Sequence, residues 1–246
     1  MASARSRVLT FFTRVAMWFI FRVHKPAAEV RQTMAALDAK QRAPLPPGIV
    51  IENVEAPMPG RWLRNTAARS PQVLLYLHGG AFIMRLPEGH SAMVARFCAD
   101  AGVSAFMPWY RLAPEHPFPA AVDDALSAYR HLLDSGHRAQ DIVIMGDSAG
   151  GNLCLAVLHL ISRAGLPMPA ASIALSPITD FAQISATWRL NKWRDPMYRV
   201  QGFVNPVEHY LQGRVSPIDP AASPYYGDFS GFPPLWRLRA LRSSIA

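Results

Sequence analysis

The stretch from residue 142 to residue 161 constrains the fold most, because one tight turn joins a strand pattern to a helix pattern. Residues 142–145 read Ile-Val-Ile-Met, an apolar and mostly β-branched run that is typical of a buried strand. After a Gly-x-Ser-x-Gly turn, apolar residues return at helical spacing, at Leu153, Ala156, Val157, Leu160 and Ile161. Strand, turn and helix in this order predict a nucleophile elbow.

The residues of the turn fit the geometry of such an elbow. We expect a strained backbone at Ser148, and side chains two positions to either side would collide, which explains Gly146 and Gly150. Ser148 would stand at a helix N-terminus, where the dipole and the free N–H groups favour negative charge. A bare Gly-x-Ser-x-Gly also arises by chance, but the flanking strand and helix favour a nucleophilic Ser148.

A second glycine-rich run, His78-Gly79-Gly80-Ala81, follows the apolar strand pattern at 72–77. We expect this loop to lie beside the elbow, where its N–H groups and that of Ala149 can point at the oxygen of a tetrahedral intermediate. Losing one such donor costs about 3 kcal/mol of transition-state stabilisation. Alone the run would be an ordinary turn, and its position after a strand beside the elbow predicts an oxyanion loop.

Strand and helix patterns alternate along the chain. A proline-rich break at 43–48 precedes a predicted β-hairpin at 49–54 and 61–65. The further predicted strands are 72–77, 103–107, 142–145 and 171–175, and the predicted helices are 27–42, 89–101, 119–133 and the elbow helix. This alternation predicts the α/β class, with a mostly parallel sheet covered by helices on both faces.

Composition excludes some functions. The 246 residues are 50% hydrophobic and 17% charged, so the chain is globular and not disordered. The net charge of +8 would suit nucleic acid, but the cations are scattered and mostly arginine, which favours a solvated surface and no nucleic-acid partner. Cys98 and Cys154 lie in apolar helical patterns and are expected to be buried free thiols of a cytoplasmic protein, with a disulfide as the alternative.

The N-terminus carries a short apolar run at 15–21 behind Arg5, Arg7 and Arg14. It is too short to span a bilayer, and no small-residue cleavage site follows it. We interpret it as an amphipathic helix that covers an apolar pocket of the same protein. Attachment to a membrane surface, which would make the protein peripheral, is the alternative.

Six segments together resemble the hormone-sensitive-lipase-like esterases, also called bacterial family IV, within the α/β-hydrolase fold. The resemblance extends from about residue 27 to Pro234, and its segments are HGGA at 78–81, YRLAPEHPFPAA at 110–121, GDSAGG at 146–151, SPITD at 176–180, DPMY at 195–198 and SPYYGDFSGFPP at 223–234.

The resemblance implies a fold, a reaction and site residues. It implies N-terminal cap helices at 1–45, a core at 46–181, a helical cap insertion at 182–220 and a remnant of the core with an aberrant tail at 221–246. Members hydrolyse carboxylic esters with short to medium acyl chains, without a metal or an organic cofactor. The implied nucleophile is Ser148; the oxyanion hole is lined by Gly79, Gly80, Ala81 and Ala149; and the elbow is supported by Gly146, Asp147 and Gly150.

The chain departs from the family after Pro234. Members continue with an apolar strand, a loop with the catalytic Asp, a helix, a strand and the catalytic His. Here Arg237, Arg239 and Arg242 fall within six residues, a pattern that does not suit a buried parallel strand. We therefore expect a frameshifted or truncated reading frame without the C-terminal strands, in which 171–175 is an uncovered edge that promotes self-association.

The same departure removes the expected base. The histidines after Ser148 are His159, expected to point away, and His209, which with Asp195 would form a substitute pair in the right order. His78 is expected to be structural, and Glu115 to support the loop near the oxyanion hole. We expect an esterase with little turnover, the alternative being a non-catalytic protein that binds an acyl ligand or a partner.

Overall fold

The computed structural model describes residues 26–184 and 207–238 and, from the first 25 residues, Val8, Phe11, Phe12 and Val15. Within these residues the strands form one sheet in the order β1-β2-β4-β3-β5-β6-β7. The strands are β1 Ile49–Val54, β2 Gly60–Asn65, β3 Val73–Leu77, β4 Ser104–Pro108, β5 Ile142–Asp147, β6 Ala171–Leu175 and β7 Leu235–Leu238.

The strand pairings match the predicted class. Strands β1 and β2 form the predicted antiparallel hairpin, and β2 also pairs antiparallel with β4. The remaining neighbours, from β4 through β3, β5 and β6 to β7, are parallel. The sheet is therefore mostly parallel, which confirms the prediction from the alternation of strand and helix patterns.

Four longer helices accompany the sheet in the described residues: α1 Ala27–Ala39, α2 Pro87–Ala101, α3 Ala120–Asp134 and α4 Ala149–Arg163. Helix α2 shows how local sequence sets the boundaries. Pro87 opens it, and Gly102 ends it in a left-handed conformation at φ 69°. The capping of α2 comes from elsewhere in the chain, because Asp38 of α1 accepts hydrogen bonds from the amides of Glu88 and Gly89 at 2.9 and 2.8 Å.

The core has two apolar clusters, one on each face of the sheet. Leu75 and Leu77 of β3 belong to the cluster that packs against α3 and α4. Tyr76, which points to the other face, belongs to the cluster that includes Val94 and Cys98 of α2. Both cysteines of the chain are buried and free, as predicted.

The prediction that 171–175 is an uncovered edge was wrong. Strand β7 pairs with β6 in parallel register, with Ser172 opposite Leu235, and the amide of Ser172 donates to the carbonyl of Pro234 at 3.1 Å. An edge strand needs backbone hydrogen bonds and not two buried faces, so an arginine-rich sequence can form one. Strand β7 is thus one of the two edges of the described sheet, and its Trp236 is 65% exposed.

Several expectations fall largely outside the described residues. The structure does not describe most of the apolar run at 15–21, nor residues 185–206 of the expected cap, which include Asp195. The four described N-terminal residues are helical, and their side chains are exposed. Within the described part of the chain, no helix combines the length and apolarity needed to cross a membrane.

Candidate active site

Ser148 lies at the junction between β5 and α4 with φ 53° and ψ −114°, a conformation that non-glycine residues rarely adopt. Backbone hydrogen bonds hold it there. Its amide donates to the carbonyl of Leu175 at 2.9 Å, and its carbonyl accepts from the amide of Ile178 at 3.2 Å. The expected strain is present, and the hydroxyl stands at the start of a helix of 15 residues.

The flanking glycines are required by a neighbouring strand as well as by the turn. A Cβ on Gly150 would collide with the carbonyl oxygen of Leu77 at the end of β3. A Cβ on Gly146 would collide with the same oxygen and would lie 2.8 Å from the backbone of Gly150. The elbow can therefore pack against β3 only when both positions lack a side chain.

The loop after β3 turns back sharply beside the elbow. Gly80 has φ 124°, and Ala81 and Phe82 have φ 53° and 63°. The carbonyl of Gly80 accepts hydrogen bonds from the amides of Ile83 and Met84, both at 3.0 Å. Among the described residues, no acceptor is bonded to the amides of Gly80 or Ala81, and the amide of Ala149 lies in the first turn of α4, where helices leave N–H groups unpaired.

Gly79 departs from the expectation for the oxyanion loop. Its amide donates to Oδ1 of Asp147 at 2.9 Å, so it is not free to donate to a ligand. A Cβ on Gly79 would collide with the same carboxylate. Gly79 thus anchors the loop, which leaves the amides of Gly80, Ala81 and Ala149 as the available donors.

Asp147 connects the elbow to this loop. Three groups converge on its Oδ1: the amide of Gly79, the Tyr76 hydroxyl at 2.8 Å and Nε2 of His90 at 3.3 Å. Burial disfavours the charged carboxylate, but the hydrogen bond and charge of His90 outweigh burial and lower the pKa of Asp147. His90 was not predicted as a site residue, because nothing local in its sequence pattern indicates a partner on β5.

His78 is structural, as expected. Its ring is fully buried and stacks on Tyr110 with 4.1 Å between centroids, and its Nδ1 donates to the carbonyl of Gly79 at 2.7 Å. Burial first, and then the charge of His90, lower the pKa of His78 to about 3. The imidazole is therefore neutral at pH 7.

The other candidate bases are not joined to the elbow serine. His159 packs against Phe229 and Phe232 with ring centroids 4.7 and 5.1 Å apart. His209 lies in a π-helical turn at Val207–Leu211, and its Nε2 has no hydrogen-bond partner among the described residues. Within residues 26–184 and 207–238, no side chain forms a hydrogen bond with the Ser148 hydroxyl.

Glu115 ties the N-terminal helix to the loops around the site. Arg31 of α1 donates to both carboxylate oxygens of Glu115, at 2.8 and 2.5 Å. The same guanidinium donates to the carbonyls of Ala113 and Ile83, and Ile83 lies in the turn after Gly80. One side chain of α1 thus holds the oxyanion loop and the 113–115 segment together.

The site can be compared with those of known proteins. A family profile described as the alpha/beta hydrolase fold matches residues 74–240. An acetyl-hydrolase of Streptomyces hygroscopicus is 37% identical over 216 residues, which cover 86% of this chain and 71% of that protein. An esterase of Acinetobacter venetianus is 34% identical over 167 residues, 68% of this chain and 55% of that protein.

Solved structures agree with the sequence comparison. The crystal structure of a hormone-sensitive lipase from a metagenome library superposes with a TM-score of 0.88 at 30% identity, covering 97% of this chain and 79% of that one. The profile, the two relatives and the solved structure point to the same fold and family. The chain therefore belongs to the hormone-sensitive-lipase-like esterase family of the α/β-hydrolase fold.

Proposed function

We propose that this chain attacks small carboxylic esters of short to medium acyl length through Ser148, with an acyl-enzyme intermediate. The observation that carries the proposal is the left-handed backbone of Ser148 at a strand–helix junction, beside three amides without a described acceptor. Membership of a family whose relatives include an acetyl-hydrolase and an esterase supports the substrate class.

The chemistry follows from these groups. The Ser148 hydroxyl oxygen adds to the ester carbonyl carbon, and the carbonyl oxygen becomes an oxyanion. The amides of Gly80, Ala81 and Ala149 donate to it, each stabilising the transition state by about 3 kcal/mol. Solvent water takes the proton of the hydroxyl as the bond forms. Collapse breaks the bond to the alkoxide, which takes a proton from solvent and leaves as the alcohol, while the acyl group stays on Ser148. A water molecule then adds to the acyl carbon, and collapse releases the acid and restores the Ser148 hydroxyl.

Removal of the proton from the serine hydroxyl limits the rate. In serine hydrolases an imidazole accepts this proton, and loss of the imidazole alone can lower kcat by about 10⁶-fold. None of the described histidines is hydrogen-bonded to Ser148. We therefore propose that the 246-residue polypeptide turns esters over slowly, at a rate that reflects oxyanion stabilisation and binding alone.

Hydrolysis of p-nitrophenyl butyrate tests both parts. The proposal expects a low rate above background that Ser148→Ala abolishes, while Ser127→Ala, which changes an exposed serine of α3, leaves it unchanged. Hydrolysis that survives Ser148→Ala would overturn the nucleophile. Ordinary esterase rates that depend on Ser148 would instead overturn slow turnover and reveal a base outside the described contacts.

A second candidate function is acyl-ligand binding without hydrolysis. It is favoured by the same observation, an elbow serine with no described imidazole partner. Calorimetry with butyrate and with ethyl butyrate distinguishes the two. Binding of the ester, with the ester recovered unchanged and no acyl adduct on Ser148, would support binding over hydrolysis.

A further inference from the structure

His90 is a buried histidine whose two ring nitrogens both face acceptors. It lies in the first turn of α2 with 8% of its surface exposed. Its Nδ1 is 2.8 Å from the carbonyl oxygen of Leu86, and its Nε2 is 3.3 Å from Oδ1 of Asp147. A carbonyl oxygen can only accept, so Nδ1 carries a proton.

The second nitrogen must then carry a proton as well. With Nδ1 protonated, a neutral ring would turn the Nε2 lone pair towards the carboxylate of Asp147. The alternative, a proton on the carboxylate, is disfavoured because Oδ1 already accepts from Tyr76 and Gly79. The arrangement therefore requires an imidazolium paired with a carboxylate.

We infer that His90 is a positioning residue for ester hydrolysis: its imidazolium fixes the Asp147 carboxylate, which in turn holds the Gly79 amide and sets the oxyanion loop. The inference rests on the proposed function of Ser148 and adds a residue to it. His90 acts through Asp147 and does not touch the substrate. The loop it sets carries the amides of Gly80 and Ala81.

The charges around His90 agree with this assignment. Burial favours the neutral ring, but the hydrogen bond and charge of Asp147, the carbonyl of Leu86 and the charge of Asp38 outweigh it and raise the pKa of His90. The two titratable rings in contact with it are uncharged at pH 7: the phenol of Tyr76, with ring centroids 6.2 Å apart, and the neutral ring of His78, at 5.7 Å. The charge of Arg85 also lowers the pKa of His78, which favours its neutral ring.

Two measurements test the inference without turnover. Nitrogen NMR of the imidazoles should find both ring nitrogens of His90 protonated at pH 7. Amide exchange should show that His90→Phe speeds exchange at Gly79 about tenfold, the effect of one lost hydrogen bond, with His90→Gln in between. His137→Gln, which removes a ring stacked on Trp62 at 6.1 Å, should leave Gly79 unchanged.

Hydrolysis supplies the third measurement. Relative to the Ser148-dependent rate of the unsubstituted chain, His90→Phe should lower kcat about ten- to hundredfold with little change in KM, because the displaced donors act in the transition state. In the unsubstituted chain protection of Gly79 should fall as pH rises through the pKa of His90, and His90→Phe should abolish that dependence.

The outcomes separate this inference from the proposed function. Hydrolysis that survives Ser148→Ala overturns the nucleophile, and the NMR and exchange results still decide the role of His90. A neutral His90 ring at pH 7, or exchange at Gly79 that changes less than about twofold in the variants, overturns the inference even when Ser148 is the nucleophile. If His90→Phe does not fold, the NMR of the unsubstituted chain and the amide exchange of His90→Gln still test the inference.

Discussion

The carboxylate of Asp147 accepts a hydrogen bond from the amide of Gly79 at 2.9 Å, which joins the residue before the elbow serine to the loop after β3. The bond couples two parts of the site that are far apart in sequence. It also explains why Gly79 is a glycine, since a Cβ there would collide with the carboxylate.

Replacing Asp147 with asparagine should destabilise the fold. The substitution removes the charge that faces the His90 imidazolium, and leaving one partner of a buried pair uncompensated costs about 3 kcal/mol. Urea unfolding at pH 7 measures the loss. Asp134→Asn, the same change on the exposed end of α3, is the control, and equal midpoints for the two variants would contradict a role for the pair.

Glu115→Gln should have a small, pH-dependent effect. The hydrogen bond from Arg31, opposed by slight burial, lowers the pKa of Glu115 to about 2 from an ordinary value of 4.5. A lowered carboxyl pKa stabilises the fold above pH 4.5, and this contribution is lost as pH falls from 4.5 towards 2. Because Glu115 is 54% exposed, solvent screening limits the cost at pH 7 to about 1 kcal/mol or less.

Urea unfolding midpoints of the unsubstituted chain and of Glu115→Gln, measured at pH 7 and at pH 3, test this. The difference between the two midpoints should be smaller at pH 3 than at pH 7. Glu52 is the control, because it is about as exposed as Glu115 but makes a single contact, to Arg64 at 3.2 Å. Glu52→Gln should therefore lower the free energy of unfolding less than Glu115→Gln does. A gap that widens in acid would show that the Arg31 contact does not stabilise the charged form.

Gly150→Ala should destabilise the chain by about 3 kcal/mol or more, because the added methyl group meets the backbone of β3 and cannot move aside. Gly165→Ala provides a matched comparison. Gly165 has φ 64° and open space around it, so alanine there costs only the backbone strain of about 1 kcal/mol. Equal losses in thermal unfolding would mean that the elbow does not require close approach at this position.

Asn152→Ala should cost about 2–4 kcal/mol in the free energy of unfolding. The buried amide of Asn152 donates to the carbonyls of Ile178 and Ala222, both at 2.7 Å, and alanine leaves both carbonyls without this donor. Ser172→Ala is the control at equal depth, since it removes one long bond of 3.5 Å to the carbonyl of Cys154. A smaller loss for Asn152→Ala than for Ser172→Ala would refute the assignment.

The sequence predicted what depends on local pattern. The strand before Ser148, the helix after it and the parallel order of the sheet follow from periodicity and from glycine spacing, which act over a few residues. Pairings between distant residues leave no such signal. Two ion pairs appear only once the chain is folded: His90 with Asp147, and Arg31 with Glu115.

Two further points depend on contacts between distant residues. The sequence does not show that the amide of Gly79 donates to Asp147, because the two residues are 68 positions apart. The arginine-rich segment was rejected as a strand because burial was assumed on both faces. Strand β7 lies at the edge of the described sheet, where backbone pairing with β6 suffices.

Covalent labelling of Ser148 tests the central claim most directly. The chain is incubated with diethyl p-nitrophenyl phosphate, and intact and peptide mass spectrometry then locate and count the adducts over time. We expect a single diethylphosphoryl group on Ser148, formed slowly, and none in Ser148→Ala. Absence of that adduct, or equal labelling of serines outside the elbow, would contradict a nucleophile at this turn.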